Sequence, residues 1–236
     1  MDLWGRIYLD YWREEAHPHA FVRDDGERNV VESAASYFQA PRWSAEVEVC
    51  ETLHGRVLDL GCGAGSYTLF LEGRGLDVVA IDSSPGAIQV CVERGCRDPR
   101  VMDLRDLDLD LGSFDALICM GNTLGINQSP KTLSPFLAGL RRLLKADGCL
   151  VVSGVDPLAT TVPNRIRYHE LNRLRGLPPG LVRTRLEYRG QLSDFWTFWI
   201  PTRAEFERAA LDGGWRIESL VEDDPSRLWV LKPTAS

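Results

Sequence analysis

Val57-Leu58-Asp59-Leu60-Gly61-Cys62-Gly63-Ala64-Gly65 is the stretch on which the fold turns. Residues 56–60 form a short apolar run interrupted by Asp59, and the glycines at 61, 63 and 65 leave the backbone bare where the next helix should begin. Glycine accepts positive φ and lets another group come close. The first turn of a following helix offers unpaired N–H groups to polar or anionic atoms. A strand, a bare turn and a helix start together predict a ligand resting on backbone; the alternative is a tight strand-to-helix turn with no ligand.

The next strand favours the ligand. Residues 76–81, Leu-Asp-Val-Val-Ala-Ile, are β-branched and apolar and run into Asp82, which lies 21 residues beyond Gly61 (82 − 61). A carboxylate at the tip of a second parallel strand can accept hydrogen bonds from both hydroxyls of a ribose whose remainder sits on the glycine turn. Asp82 can also serve as a helix cap, since Ser83, Ser84 and Pro85 open a helical pattern.

Two details separate the cofactors that fit. A nicotinamide fingerprint needs glycine at position 66, where this chain has Ser66. Asp59 would sit badly beside a pyrophosphate but well beside the ammonium of an amino acid. In this motif the chain resembles the class I S-adenosylmethionine-dependent methyltransferases. The resemblance implies S-adenosylmethionine as cofactor and S-adenosylhomocysteine as product. It places Asp59, Gly61, Gly63 and Gly65 at the methionine end and Asp82 at the ribose, with Cys62, Ser83, Met120 and Gly121 beside them.

The similarity continues in motif order over residues 56–156. Residues 100–104 look like a third strand whose acid, Asp103, meets the adenine amino group while the backbone of Leu104 meets a ring nitrogen. Asp103 also opens an acidic alternation through Asp110 that reads equally as an exposed edge. Residues 114–121 read as a buried fourth strand, 130–145 as an amphipathic helix and 149–155 as a fifth strand. The expected architecture is α/β: a Rossmann-like three-layer αβα sandwich around a mostly parallel seven-stranded sheet. Residues 1–54 form an N-terminal helical lid, 55–236 the methyltransferase domain, and 157–200 an inserted helix plus β-hairpin after the fifth strand. Residues 215–221 and 227–231 supply the last two strands, after a helix over 203–211.

Composition agrees with one catalytic unit. A chain of 236 residues can bury a single core. No apolar stretch reaches the roughly 18 residues of a membrane helix, and the N-terminus lacks the apolar centre of a signal peptide, so a cytoplasmic protein with no membrane partner is expected. Six cysteines without a Cys-x-x-Cys pair read as reduced core thiols, and no catalytic metal is expected. A net charge of −7 argues against a nucleic-acid surface. Arg165, Arg167, Arg173, Arg175, Arg183, Arg185 and Arg189 form a local exception, read either as recognition of an acidic substrate or as a solvated face.

Substrate contacts are expected outside the cofactor motifs. Tyr8 and Tyr11 lie at helical spacing near the N-terminus and are candidates for catalysis, Tyr11 for substrate contact as well; His169, in a predicted helix of the insertion, is a candidate base. Asn122 follows the fourth strand and Asp156 ends the fifth, and both are candidate substrate residues, as is Trp196. Phe195, Trp196, Phe198 and Trp199 place aromatics on both faces of a strand, one to pack and the other to border the substrate or a second subunit in a homodimer. The expected function is methyl transfer to an oxygen or nitrogen of a small organic molecule, of the kind found in specialised metabolism. A nicotinamide oxidoreductase, an aminopropyl transferase and a noncatalytic scaffold are the alternatives on this fold.

Overall fold

The computed structural model describes residues 1–107, 111–126 and 128–234. α1 (Leu3–Trp12) is followed by β1 (His19–Arg23), β2 (Arg28–Val31) and α2 (Ser44–Thr52). Strands and helices then alternate through β3 (Arg56–Leu60), α3 (Ser66–Gly73), β4 (Asp77–Asp82), α4 (Pro85–Arg94), β5 (Asp98–Val101), β6 (Phe114–Cys119), α5 (Leu133–Leu140) and β7 (Leu144–Val155). After β7 come α6 (Pro163–Leu174), β8 (Leu181–Tyr188), β9 (Gln191–Leu192) and β10 (Trp196–Trp199), and the chain finishes with α7 (Arg203–Asp212), β11 (Trp215–Asp223) and β12 (Ser226–Pro233).

Seven strands make the main sheet in the order β11-β12-β7-β6-β3-β4-β5. The five from β7 to β5 are parallel, and β12 and β11 are antiparallel additions at one edge. Such a sheet is buried on both faces, which is why its strands are apolar runs. Side-chain alternation divides the core. Leu58, Leu60, Val79 and Ile81 pack on the side of α5 and α7, while Val57, Val78, Ile118 and Val151 pack on the side of α2 and α3. Trp215 Nε1 donates to Leu137 O at 2.9 Å and ties β11 to α5.

Helix α5 is shorter than the apolar spacing predicts. Pro135 has no N–H to continue a helix begun at residue 130, so it is accommodated only in the first turn of a helix starting at Leu133. β7 correspondingly begins at Leu144, which pairs with Phe114. β5 ends before Asp103, whose side chain instead caps a single turn, Leu104–Asp106. Asp108, Leu109 and Asp110 of the acidic alternation lie outside the described residues.

The N-terminal segment is not all helical. β1 and β2 form a hairpin, and β1 also pairs with β8, giving a second sheet in the order β10-β8-β1-β2 with β9 on β8. The inserted hairpin of β8 and β10 is thus completed by strands from the other end of the chain. The residues between β1 and β2 carry Asp25-Gly26, with Gly26 at φ +90°, a hairpin signal legible in the sequence.

α1 is docked on α4 by glycine. A Cβ on Gly5 would come within 2.6 Å of Gly86 Cα, so the two backbones touch. The Asp2 carboxylate accepts from Gly5 N (2.8 Å), Gly86 N (3.0 Å) and Ser84 Oγ (2.8 Å), capping one helix and pinning it to the start of the other.

Candidate active site

The glycine turn connects β3 to β4 before it reaches any ligand. Gly61 N and Cys62 N both donate to Ile81 O at 2.9 Å, so the chain folds over the end of the neighbouring strand. This requires φ of +77° at Gly61 and +54° at Gly63, values in the left-handed region that favours glycine. Gly63 N then donates to Asp82 Oδ2 at 3.0 Å, and Ser84 N to Asp82 Oδ1 at 2.9 Å. Burial pushes the Asp82 carboxyl up, and these two backbone donors oppose the shift.

Asp59 lies under the turn and is 2% exposed. Its Oδ2 accepts from Thr68 Oγ1 at 2.7 Å. Burial raises its carboxyl from 3.8 to about 7, against the Thr68 bond and with help from the Asp82 charge.

Above the strand ends lies a cavity of about 680 Å³. Its floor holds Asp59, Gly61, Cys62 and Gly63 from the turn after β3, and Asp82 and Ser83 from the end of β4. Asp103 and Leu104 line it beyond β5, and Met120, Gly121 and Asn122 beyond β6. Asn122 Oδ1 accepts from Val155 N at 2.8 Å and joins the ends of β6 and β7. Asp103 is already held by Arg105 at 2.6 Å, which keeps its carboxyl low. Tyr8 reaches in from α1, its Oη 3.5 Å from where a Cβ on Gly63 would stand, and Trp196 closes the roof from β10. Burial pushes the Tyr8 phenol well up, so it is a hydrogen-bond donor and not a base at neutral pH.

Four predicted residues lie off the cavity. Gly65 faces the opposite way: a Cβ there would stand 2.6 Å from Cys96 Sγ, so this glycine serves the packing of α3 on α4. Tyr11 is one helical turn farther along α1 than Tyr8, and its ring packs on Phe38 at 4.6 Å. His169 is buried in α6, held neutral by desolvation and the nearby charges of Arg173, Arg23 and Arg165. Asp156 accepts from Leu158 N at 2.8 Å and faces Arg227 at 3.7 Å, the behaviour of a turn acid before proline.

Other lining residues went unread. Asp2, Tyr37, Arg42 and Phe21 come from the N-terminal segment, and Thr184 and Leu186 from the second sheet, where Phe198 joins Trp196 on the strand face expected to border the substrate. Alternation along β8 could have marked Thr184 and Leu186 as one face, but not which surface that face covers. Arg42 has no ion-pair partner among the described residues, and its Nη1 lies 3.3 Å from where a Cβ on Gly121 would stand. No three of the described His, Cys, Asp and Glu residues converge to hold a metal ion.

Comparison with known proteins bears on this geometry directly. Residues 57–148 match the family described as a methyltransferase domain. Over that stretch the chain is similar to a methyltransferase domain, and as a whole it shares the fold of solved S-adenosylmethionine-dependent methyltransferases. Among curated methyltransferases, it is 35% identical over 109 residues to the cypemycin N-terminal methyltransferase of a Streptomyces species, covering 44% of each chain. It is 32% identical over 132 residues to the ubiquinone biosynthesis O-methyltransferase of Xanthomonas oryzae pv. oryzae (strain PXO99A), covering 49% of this chain and 55% of that one. The chain thus spans about half the length of the curated relatives it matches. A solved S-adenosylmethionine-dependent methyltransferase from Bacteroides fragilis, in complex with S-adenosyl-L-homocysteine, shares the fold with a TM-score of 0.83 at 21% identity, over 99% of this chain and 95% of that chain. The second sheet is therefore spanned by the methyltransferase fold comparison, whereas the family match covers residues 57–148, the stretch that carries the glycine turn and its acids.

Proposed function

We propose that the protein transfers a methyl group from S-adenosylmethionine to an oxygen or nitrogen of a small organic molecule, leaving S-adenosylhomocysteine. The observation that carries this reading is a pair of acids at one glycine turn, Asp59 buried beneath it and Asp82 half-buried beside it. Asp59 supplies an anion where an ammonium would lie, and Asp82, fixed by Gly63 N and Ser84 N, presents its remaining lone pairs to a ribose. Arg42, beside Gly121, supplies the cation that the carboxylate of the same amino-acid end requires. Asp103 keeps lone pairs for the adenine amino group, and Leu104 offers its backbone. Asp59 at the floor would repel a pyrophosphate, which speaks against a nicotinamide cofactor.

When bound, the cofactor supplies a sulfonium-activated methyl group whose C–S electrons return to sulfur as the acceptor's lone pair bonds the carbon. The chain's part is alignment. Gly63 and Asp82 fix the floor, and Tyr8 presses down over the turn. Trp196 and Phe21 exclude water from the roof. Holding both reactants in line can supply on the order of 7 kcal/mol. No histidine lines the cavity among the described residues, and the phenol of Tyr37 is pushed up to about 12 by burial, so the site works by positioning and not by a resident base.

The same reading makes a small molecule, and no nucleic acid or membrane, the partner. No described helix is long and apolar enough to cross a membrane. A cytoplasmic setting suits six free cysteines, and the outer face of the second sheet is where a second subunit would dock. Calorimetric titration with S-adenosylmethionine, S-adenosylhomocysteine and NADH tests the cofactor. Micromolar binding of the first two alone, about −8 kcal/mol, is expected; binding of NADH alone overturns the proposal.

A further inference from the structure

The arginines of the insertion never reach the cavity. β8 alternates by single residues, so Thr184 and Leu186 face the cavity while Arg183 and Arg185 lie on the opposite face, over the Phe195 ring at 5.1 and 4.6 Å. Arg189 is held by Asp10 at 2.9 Å, and α6 contributes no lining residue. The roof is therefore built of Phe21, Leu186, Trp196 and Phe198, with no charge. The carboxylates that line the cavity all lie on its floor or at the α1–α4 crossing, and Arg42 and Arg105 stand over the strand ends beside Gly121 and Asp103. A charged acceptor placed under this roof would lose its hydration and gain no counter-ion.

Two hydroxyls beside the roof are already engaged. Thr184 Oγ1 donates to Val22 O at 3.2 Å; Ser193 Oγ donates to Asp194 O at 2.8 Å and accepts from Leu186 N at 2.9 Å. Tyr37 is different. Its Oη lies 3.0 Å from Nε2 of buried His19, whose Nδ1 is buried without a partner. Desolvation keeps His19 neutral. A proton on Nδ1 would strand a buried donor, whereas a proton on Nε2 strands only a lone pair, the milder fault. Nε2–H thus donates to Tyr37 Oη, and the phenol's own hydrogen is left for the cavity.

We propose that the methyl acceptor is an uncharged, flat aromatic molecule stacked under Phe21, Leu186, Trp196 and Phe198, whose ring-borne hydroxyl is a recognition group that accepts from Tyr37; the methyl goes to a second oxygen or nitrogen of the molecule, whose bond to carbon forms as the C–S bond breaks and whose proton leaves to solvent. This rests on the methyl-transfer reading and narrows it to a substrate class. Tyr37 is a specificity-determining residue, oriented by His19. The sequence hint of an acidic substrate is set aside, because the strand register turns those arginines outward.

The test is calorimetric titration of the full chain saturated with S-adenosylhomocysteine, using four naphthalene probes: 2-naphthol, 2-naphthoate, 2-naphthylmethylammonium and unsubstituted naphthalene. Binding of 2-naphthol at least about tenfold tighter than either ion is expected, with Tyr37→Phe removing most of its advantage over naphthalene. Trp196→Lys should move the preference toward 2-naphthoate, and cooperative thermal melts close to that of the parent show that both variants fold. Equal or tighter binding of either ion, no binding of 2-naphthol, or an unaltered naphthol preference in Tyr37→Phe overturns the substrate class alone. Failure of the parent chain to bind S-adenosylhomocysteine overturns the methyl-transfer reading instead.

Discussion

Replacing Asp59 with Asn tests the electrostatics of the floor. The carboxyl is 2% exposed and raised from 3.8 to about 7, chiefly because burial removes water from its charged form. A lift of that size corresponds to about 4 kcal/mol of disfavoured ionisation. Because the folded value lies above the unfolded one, the stability linked to this group is fully present below 3.8 and is lost as pH rises through about 7. Asp59→Asn removes that titration. At about pH 8.5 the free variant should therefore be more stable than the parent, by up to about 4 kcal/mol, and the difference should vanish toward about pH 4. Binding runs the other way. If the ionised carboxylate receives the cofactor's ammonium, protons compete with it, and affinity for S-adenosylmethionine should fall about tenfold per pH unit below 7. Burial raises Asp82 as well, in the same direction, so the comparison of parent and variant isolates Asp59. Thermal melts of both proteins across this range, with calorimetric titrations at about pH 6 and 8, make the measurement. An affinity independent of pH, or a variant less stable than the parent at the alkaline end, would refute the reasoning.

Three further outcomes are expected. Asp82→Ala should weaken S-adenosylmethionine binding by about 1.5 to 3 kcal/mol through loss of a charge-assisted bond, measured by titration; unchanged affinity removes Asp82 from the site. Gly86→Ala should push α1 off α4, since the new Cβ would stand 2.6 Å from Gly5 Cα, and limited proteolysis should then cut near the N-terminus faster than in the parent. His169→Gln and Asp156→Asn should leave turnover within about twofold once an acceptor is in hand, because neither lines the cavity; a loss of about a hundredfold would place the reaction elsewhere.

Much of the main sheet was legible because its signals are local. The strand from Arg56 to Leu60, the glycines after it and the acid closing β4 all lie within one short segment, where side-chain period and backbone permissiveness leave few alternatives. The third glycine shows the limit of that reading. Gly65 carries the same pattern as Gly61 and Gly63, yet it faces Cys96 and Cys91 and not the cavity, and no spacing rule distinguishes packing from ligand approach. Tyr8 and Tyr11 share a helix face, but only one lies within reach of the turn, because the crossing of α1 on α4 fixes how far along the helix the cavity extends.

By itself, the sequence determined the parallel sheet, the bare turn and the acids at its strand tips, since each depends on neighbours in the chain and on the stereochemistry of glycine and β-branched residues. Only the tertiary structure decided what covers the site. The roof joins residues near position 20 to residues near 186 through backbone pairing of β1 with β8, a long-range contact with no local signature. That register also decides charge: a shift of one residue would turn Arg183 and Arg185 inward and Thr184 and Leu186 outward, putting two cations on a strand face that now lines the cavity without charge.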